Sequence, residues 1–225
     1  MRTLTMFAGG RGFTLVEMAI VLVVMALVAS LFVSPLGARV EATQRHAAEK
    51  TLDDITEALI GFALIQGRLP CPSTETNPAS PAYGLEQGPP CVLSVPGYLP
   101  WRTLGLPATD PWGSPRTHAA QPWVGHWRYR PDKNFAEGTV TLSTTPSGQL
   151  QIKDHNGDLL STAESRVVAV VYSTGPNRQD DGLNAVVLPS APVFEAGEPT
   201  PGFDDVMHWI SQPLFVARLA RGGRF

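Results

Sequence analysis

The sequence is poor in charge and in cysteine. Charged residues make up 16% of its 225 positions, the formal net charge is −3, and cysteine occurs twice. Such a balance gives no general drive toward nucleic acid, whose phosphates are met by clustered Lys and Arg. Two cysteines with no histidine nearby supply too few ligands for a zinc centre. Neither has a local base that would make it a catalytic thiol. The five histidines, His46, His118, His126, His155 and His208, are scattered and form no close ligand pair. No Gly-x-Ser-x-Gly elbow or phosphate loop occurs, and Ser173 before Thr174-Gly175 reads as a strand end. There is no internal repeat. Nothing in this inventory marks an enzyme.

Glycine and proline are abundant, at 21 each, while hydrophobic residues still reach 43%. That combination describes a loop-rich but ordered domain, not a disordered chain. The longest apolar run extends from Phe13 to Val33. As a helix it is about 31 Å long, against about 30 Å for a bilayer core. Arg2 and Arg11 precede it and would hold that end in the cytoplasm. One acid, Glu17, lies inside the run. An ionised carboxylate in lipid costs several kcal/mol, so an intramembrane acid is read as functional by default.

The stretch Arg11-Gly12-Phe13-Thr14-Leu15-Val16-Glu17-Met18 resembles the cleavage and methylation signature of type IV prepilins and type II secretion pseudopilins. The resemblance implies a leader of residues 1–12, cleavage between Gly12 and Phe13 by a prepilin peptidase, and N-methylation of Phe13. It also implies that Glu17 neutralises a neighbouring subunit's N-terminal amine during helical assembly with other pilin subunits. Opposite charges attract strongly in a lipid-like bundle, where either alone is costly. Two plainer readings stand beside it. A cleaved signal peptide would use Val28-Ala29-Ser30, but has an apolar core of only about 7–15 residues. A simple membrane anchor fits the length. Neither accounts for Glu17.

After Val33, Ser34-Pro35-Leu36-Gly37 suggests a kink or melted stretch. A helix is then expected from about Ala38 to Gln66, with Leu52, Ile55, Leu59 and Phe62 as its apolar stripe. Gly67 would stop it, with Pro70 just beyond. Cys71 and Cys91 bracket a loop rich in Pro, Ser, Thr and Asn. Beyond the membrane such a pair is expected to form a disulfide. Residues 69–122 read as irregular, pinned by large apolar side chains. Within them Asp110-Pro111-Trp112-Gly113-Ser114-Pro115 resembles the Asp-x-Trp-Gly-x-Pro segment of pseudopilins. There Trp112 would anchor the loop by burial and Gly113 would permit a left-handed residue. Arg116–Val124 reads as an insertion before the first strand.

Expected strands are His126–Arg130, Gly138–Thr144, Gln149–Lys153, Arg166–Tyr172, Ala185–Leu188 and Val206–Ile210. Val167–Val171, continuously apolar, would be central and buried on both faces. Asp180 and Asp181, with Asp204 and Asp205, are candidate calcium ligands, because their first segment resembles the loop where the major pseudopilin of type II secretion holds that ion. A solvated turn is the plainer reading. Asp154-His155-Asn156-Gly157-Asp158 also reads as a turn, and Arg218–Phe225 as a basic, solvated tail.

The expected fold is α+β: a long N-terminal helix, its first half transmembrane, packed on an antiparallel sheet. The expected division is leader 1–12, membrane and filament-core helix 13–37, amphipathic helix 38–67, and a head of 68–225 with a disulfide loop. The resemblance implies a non-catalytic filament subunit, minor or accessory, anchored once in the inner membrane with a periplasmic head. The competing reading is an anchored binding or adhesion domain that never polymerises.

Overall fold

The computed structural model describes residues 14–93, 97–113 and 125–225; within its first helix the side chains of residues 29–36 and 38 lie outside the description. The chain divides between Thr43 and Gln44 into two compact units.

The first unit is helical. Helix α1 (Leu15–Gln66) begins here and runs through Ser34–Gly37 without a melted stretch. From Leu15 to Val28 its large apolar side chains are exposed, Leu15 at 91%. Among the described residues no helix is long and apolar enough to cross a membrane. The expected span of residues 13–33 is therefore not found. Part of that run falls on residues whose side chains lie outside the description, and the remainder is shorter than the roughly 20 residues a bilayer requires.

In the second unit the C-terminal part of α1 buries Ala48, Leu52, Ile55, Leu59 and Ala63. The spacing is that of one face of a 3.6-residue period. The expected Phe62 is only half-buried, with the Arg68 guanidinium 5.6 Å from its ring centroid. Ala63 takes the core position, because the true helical period carries the stripe one residue onward. Gly67 stops the helix as expected, its N–H donating to the Ala63 carbonyl (2.9 Å).

Four strands form an antiparallel sheet: β1 (Gly97–Tyr98), β2 (Arg128–Pro131), β4 (Val167–Ser173) and β6 (Val206–Ser211), in the order β1-β2-β4-β6. Every residue of β4 is buried. Its Ala169 and Val171 join the core beneath α1, while Val170 and Tyr172 join a second core on the other face. A register shift between Val167 and Ala169 reverses that alternation, as a bulge does. The second core lies against a parallel two-stranded ribbon, β3 (Gln151–Lys153) with β5 (Val193–Glu195).

Three expectations change. Residues 138–144 are not a strand. Val140 is buried and donates to the Gly67 carbonyl (2.7 Å), but the chain then turns on threonine hydroxyls, with Thr141 N–H donating to Thr144 Oγ1 (2.9 Å) and Leu142 66% exposed. Hydroxyls near the backbone compete with ladder bonds. Residues 185–188 give way to a 3-10 turn, Gly182–Val186, in which Asn184 N–H donates to the Asp181 carbonyl (2.8 Å). The C-terminal tail is helical: α4 (Gln212–Arg221) buries Phe215 and Leu219, one turn apart. Two of the tail's three arginines are engaged, Arg218 with Glu57 (2.9 Å) and, beyond the helix, Arg224 with the Leu64 carbonyl (3.2 Å).

Two short helices complete the head. The first is α2 (Trp101–Leu104); the second, α3 (Lys133–Ala136), is capped by the Asp132 side chain. Cys71 and Cys91 are disulfide-bonded. Their loop is held a second time by Glu86, which pairs with Arg68 (3.0 and 3.1 Å) and accepts from Cys71 N–H (3.1 Å).

Candidate functional site

Gly12 and Phe13 lie outside the described residues. Glu17 is described, and its surroundings begin with Thr14. The Thr14 side chain accepts from Glu17 N–H (3.2 Å), and the Thr14 carbonyl accepts from Met18 N–H (3.1 Å). Thr14 is thus the N-cap of α1 and Glu17 its third residue, the Thr-x-x-Glu spacing of a capping box. An acid in the first turn also faces the positive end of the helix dipole. The observed cap is made by the Thr14 hydroxyl on the Glu17 backbone amide.

The second motif is a structural anchor. Asp110 is 4% exposed; its Oδ1 accepts from Trp112 N–H (3.0 Å) and its Oδ2 from Ser173 Oγ (2.5 Å). Burial raises the Asp110 pKa, opposed by the hydrogen bonds from Ser173 and from the Trp112 and Gly113 amides. Trp112 is buried, as expected. Gly113 is not left-handed. The positive φ belongs to Gly125 (71°), and a Cβ there would lie 2.5 Å from Gly113 Cα. The loop needs two glycines because two backbones touch. Arg116–Val124, the expected insertion, lies outside the described residues.

The acids separate into two groups. Asp180 pairs with Arg128 (2.7 Å) and accepts from the Tyr172 hydroxyl (2.8 Å). Asp181, Asp204 and Asp205 come together, each offering an oxygen within 4.8 Å of the others. Gly175 makes room for them, since a Cβ there would meet Asp204 Oδ1 at 2.2 Å. Asp205 is 2% exposed; its Oδ2 accepts from Asp181 N–H (3.1 Å) and from Asn184 Nδ2 (2.8 Å). Its Oδ1 is buried with no hydrogen-bond partner among the described residues. Burial pushes the Asp205 pKa up to about 7, with Asp181 and Asp180 adding like-charge repulsion against the relief of its hydrogen bonds. Asn184 also bonds the Glu195 backbone at both N–H (2.9 Å) and carbonyl (3.1 Å). It ties the cluster to β5, a part its sequence surroundings do not announce.

The turn at Asp154–Asp158 forms as expected, with Asp154 Oδ1 accepting from Asn156 and Asp158 N–H (2.9 and 2.8 Å). His155 within it reaches out: Nδ1 lies 2.7 Å from Glu195 Oε1 and Nε2 lies 2.9 Å from the Glu198 carbonyl. Both partners are acceptors, an arrangement that favours the charged ring in which both nitrogens donate. The His155 pKa is raised, first by the Glu195 hydrogen bond and then by the Glu198 carbonyl. His208 is a strand side chain, 3.6 Å from Asp53.

Set against known families, residues 9–33 match the prokaryotic N-terminal methylation motif. The chain carries the type IV prepilin signature. The signature is that of a pilin-like precursor processed by prepilin peptidase and assembled with other pilins. It points to a structural subunit rather than an enzyme, membrane-anchored or in a surface filament. No curated protein and no solved structure matches the chain.

Proposed function

We propose that the chain is a structural subunit, a minor or accessory pilin or pseudopilin, of a type IV pilus or type II secretion-like filament. The prepilin signature carries the reading. Residues 1–12 are its leader, Phe13 its methylated new N-terminus, and residues 13–37 its inner-membrane anchor before assembly and filament core afterward. Residues 38–67 and 68–225 form the periplasmic head. The exposed apolar side chains of α1 support this, since they need lipid or other helices to cover them. The disulfide fits an oxidising compartment.

Substitution tests the charge of Glu17. Glu17→Gln keeps a capping-box side chain and removes the charge. Processing is expected to persist while incorporation into filaments falls at least tenfold, with Glu17→Ala no less impaired. Unchanged incorporation would favour an anchored binding domain.

A second reading concerns calcium. Asp181, Asp204 and Asp205 are carboxylate donors of the kind calcium takes, and the Oδ1 of Asp205 is a buried oxygen that no described residue fills. Three carboxylates are fewer than the six to eight oxygens of a typical site, so backbone carbonyls or water must supply the rest. The ion would neutralise the like charges and fix the two loops together. Calcium is expected to raise the melting temperature of the chain, and Asp205→Asn to abolish that increment. An identical melting curve in calcium and in chelator would remove the site.

A further inference from the structure

We propose that the outer edge of β6, with the groove beside it, receives an extended, basic segment of a neighbouring filament subunit by strand addition. The inference rests on the filament reading above.

The argument begins at Pro131. It pairs with Ala169 across β2 and β4, yet proline has no N–H. That pair is therefore a non-hydrogen-bonded one. The next residue confirms the phase, because Asp132 N–H donates to the Val168 carbonyl (2.7 Å). Hydrogen-bonding direction alternates along a strand. Ala169, Val171 and Ser173 must then turn their backbone groups to β6, where they face Ile210, His208 and Val206. Met207 and Trp209 are left pointing their N–H and C=O groups away from the sheet. Among the described residues β6 has no second strand neighbour, and no backbone bond reaches those groups.

Sheet edges are ordinarily protected by Lys, Pro, inward charges or short length. β6 is six residues long, and its sequence Val-Met-His-Trp-Ile-Ser has neither lysine nor proline. Met207 and Trp209 are half-buried, and these are residue types enriched where proteins meet. A groove of about 330 Å³ opens alongside, between α1, residues 196–198 and the start of β6. Glu49, Asp53 and Glu198 on its walls are exposed. One cation, Arg45, turns its guanidinium to the Asp204 carbonyl (3.2 Å), so the three exposed carboxylates outnumber it. An open edge supplies backbone pairing, and the acidic wall selects a segment bearing Lys or Arg.

The test is amide exchange of the full processed chain, free in detergent and incorporated in filaments. Met207 and Trp209 amides are expected to slow at least tenfold on incorporation, while the exposed Leu142 amide stays unchanged. Met207→Pro removes an outward donor and spares the bonds to β4, but it also trims packing on the second core. It is therefore compared with Met207→Ala, which trims the same side chain and keeps the donor. The proline variant should incorporate at least tenfold less than the alanine variant. Glu49→Lys, at an exposed site, should weaken incorporation in the same direction. Equal exchange in free and assembled protein, or full incorporation of Met207→Pro, would overturn the proposal while leaving the filament reading intact. Slowing that appears on self-association in detergent would replace the neighbour by a closed dimer and overturn it too. A wild-type chain that is never processed or incorporated would sink both.

Discussion

Removing the bridge between Cys71 and Cys91 is the perturbation whose magnitude follows most directly from the structure. The cysteines are 20 residues apart. In the chain-entropy account, releasing a loop of that size stabilises the unfolded chain by about 3 kcal/mol. Cys71 is fully buried and Cys91 is half-buried against the main core, so Cys91→Ser is the gentler substitution. Urea denaturation of the full chain in detergent reads the effect. With a slope of about 2 kcal/mol per molar urea, the midpoint should fall by about 1.5 M. The double variant Cys71→Ser with Cys91→Ser should be far less destabilised than the sum of the singles, because both remove one bond. A local outcome is also distinguishable. Glu86 holds the loop to Arg68 and Cys71 independently of the sulfurs. If that grip sufficed, the midpoint would move by less than about 0.3 M, and the entropic reasoning would be refuted.

Ile55→Ala empties a fully buried site beneath the sheet and should cost about 2–5 kcal/mol, whereas Phe62→Ala on the same helix should cost clearly less; equal losses in chemical denaturation would contradict the observed helix face. Asp110 has a raised pKa, so the folded state holds a proton that the unfolded state releases as pH rises from the ordinary value of 3.8. Stability should fall with rising pH across that window and level off above it, and Asp110→Asn should flatten that part of a melting-temperature profile. His155 is raised from 6.5 by the Glu195 hydrogen bond and then the Glu198 carbonyl. Its contribution should be complete below 6.5 and fade as pH climbs through the folded value, which an NMR titration of the ring against His155→Gln would show.

Legibility in the sequence followed the range of the interactions. β4 was readable because burial on both faces demands an unbroken apolar run, and Val167–Val171 supplies one. Leu52, Ile55 and Leu59 were readable from helical period, while Phe62 was misplaced by one residue because its ring lies beside Arg68 rather than in the core. Val140 and Leu142 imitate strand alternation, yet only a turn on Thr141 and Thr144 is present. Phe215 and Leu219 are spaced one helical turn apart before a Gly222-Gly223 stop, a local pattern that the arginines of Arg218–Phe225 mask. The candidate site was half legible. Asp181, Asp204 and Asp205 do converge, but Asp180 is taken by Arg128, a partner 52 positions away. Asn184, and the Ser173 that grips Asp110, belong to the same long-range class. The cap of Thr14 on Glu17 was short-range and readable in principle, since Thr-x-x-Glu is a local pattern.

The most direct test of the central claim is the intact mass and N-terminal sequence of the protein recovered from cell membranes, with and without a prepilin peptidase. The account predicts a chain starting at Phe13 with one added methyl group, a form that disappears when the peptidase is absent. A chain starting at Met1 regardless of the peptidase, or cut beyond Val33, would contradict it.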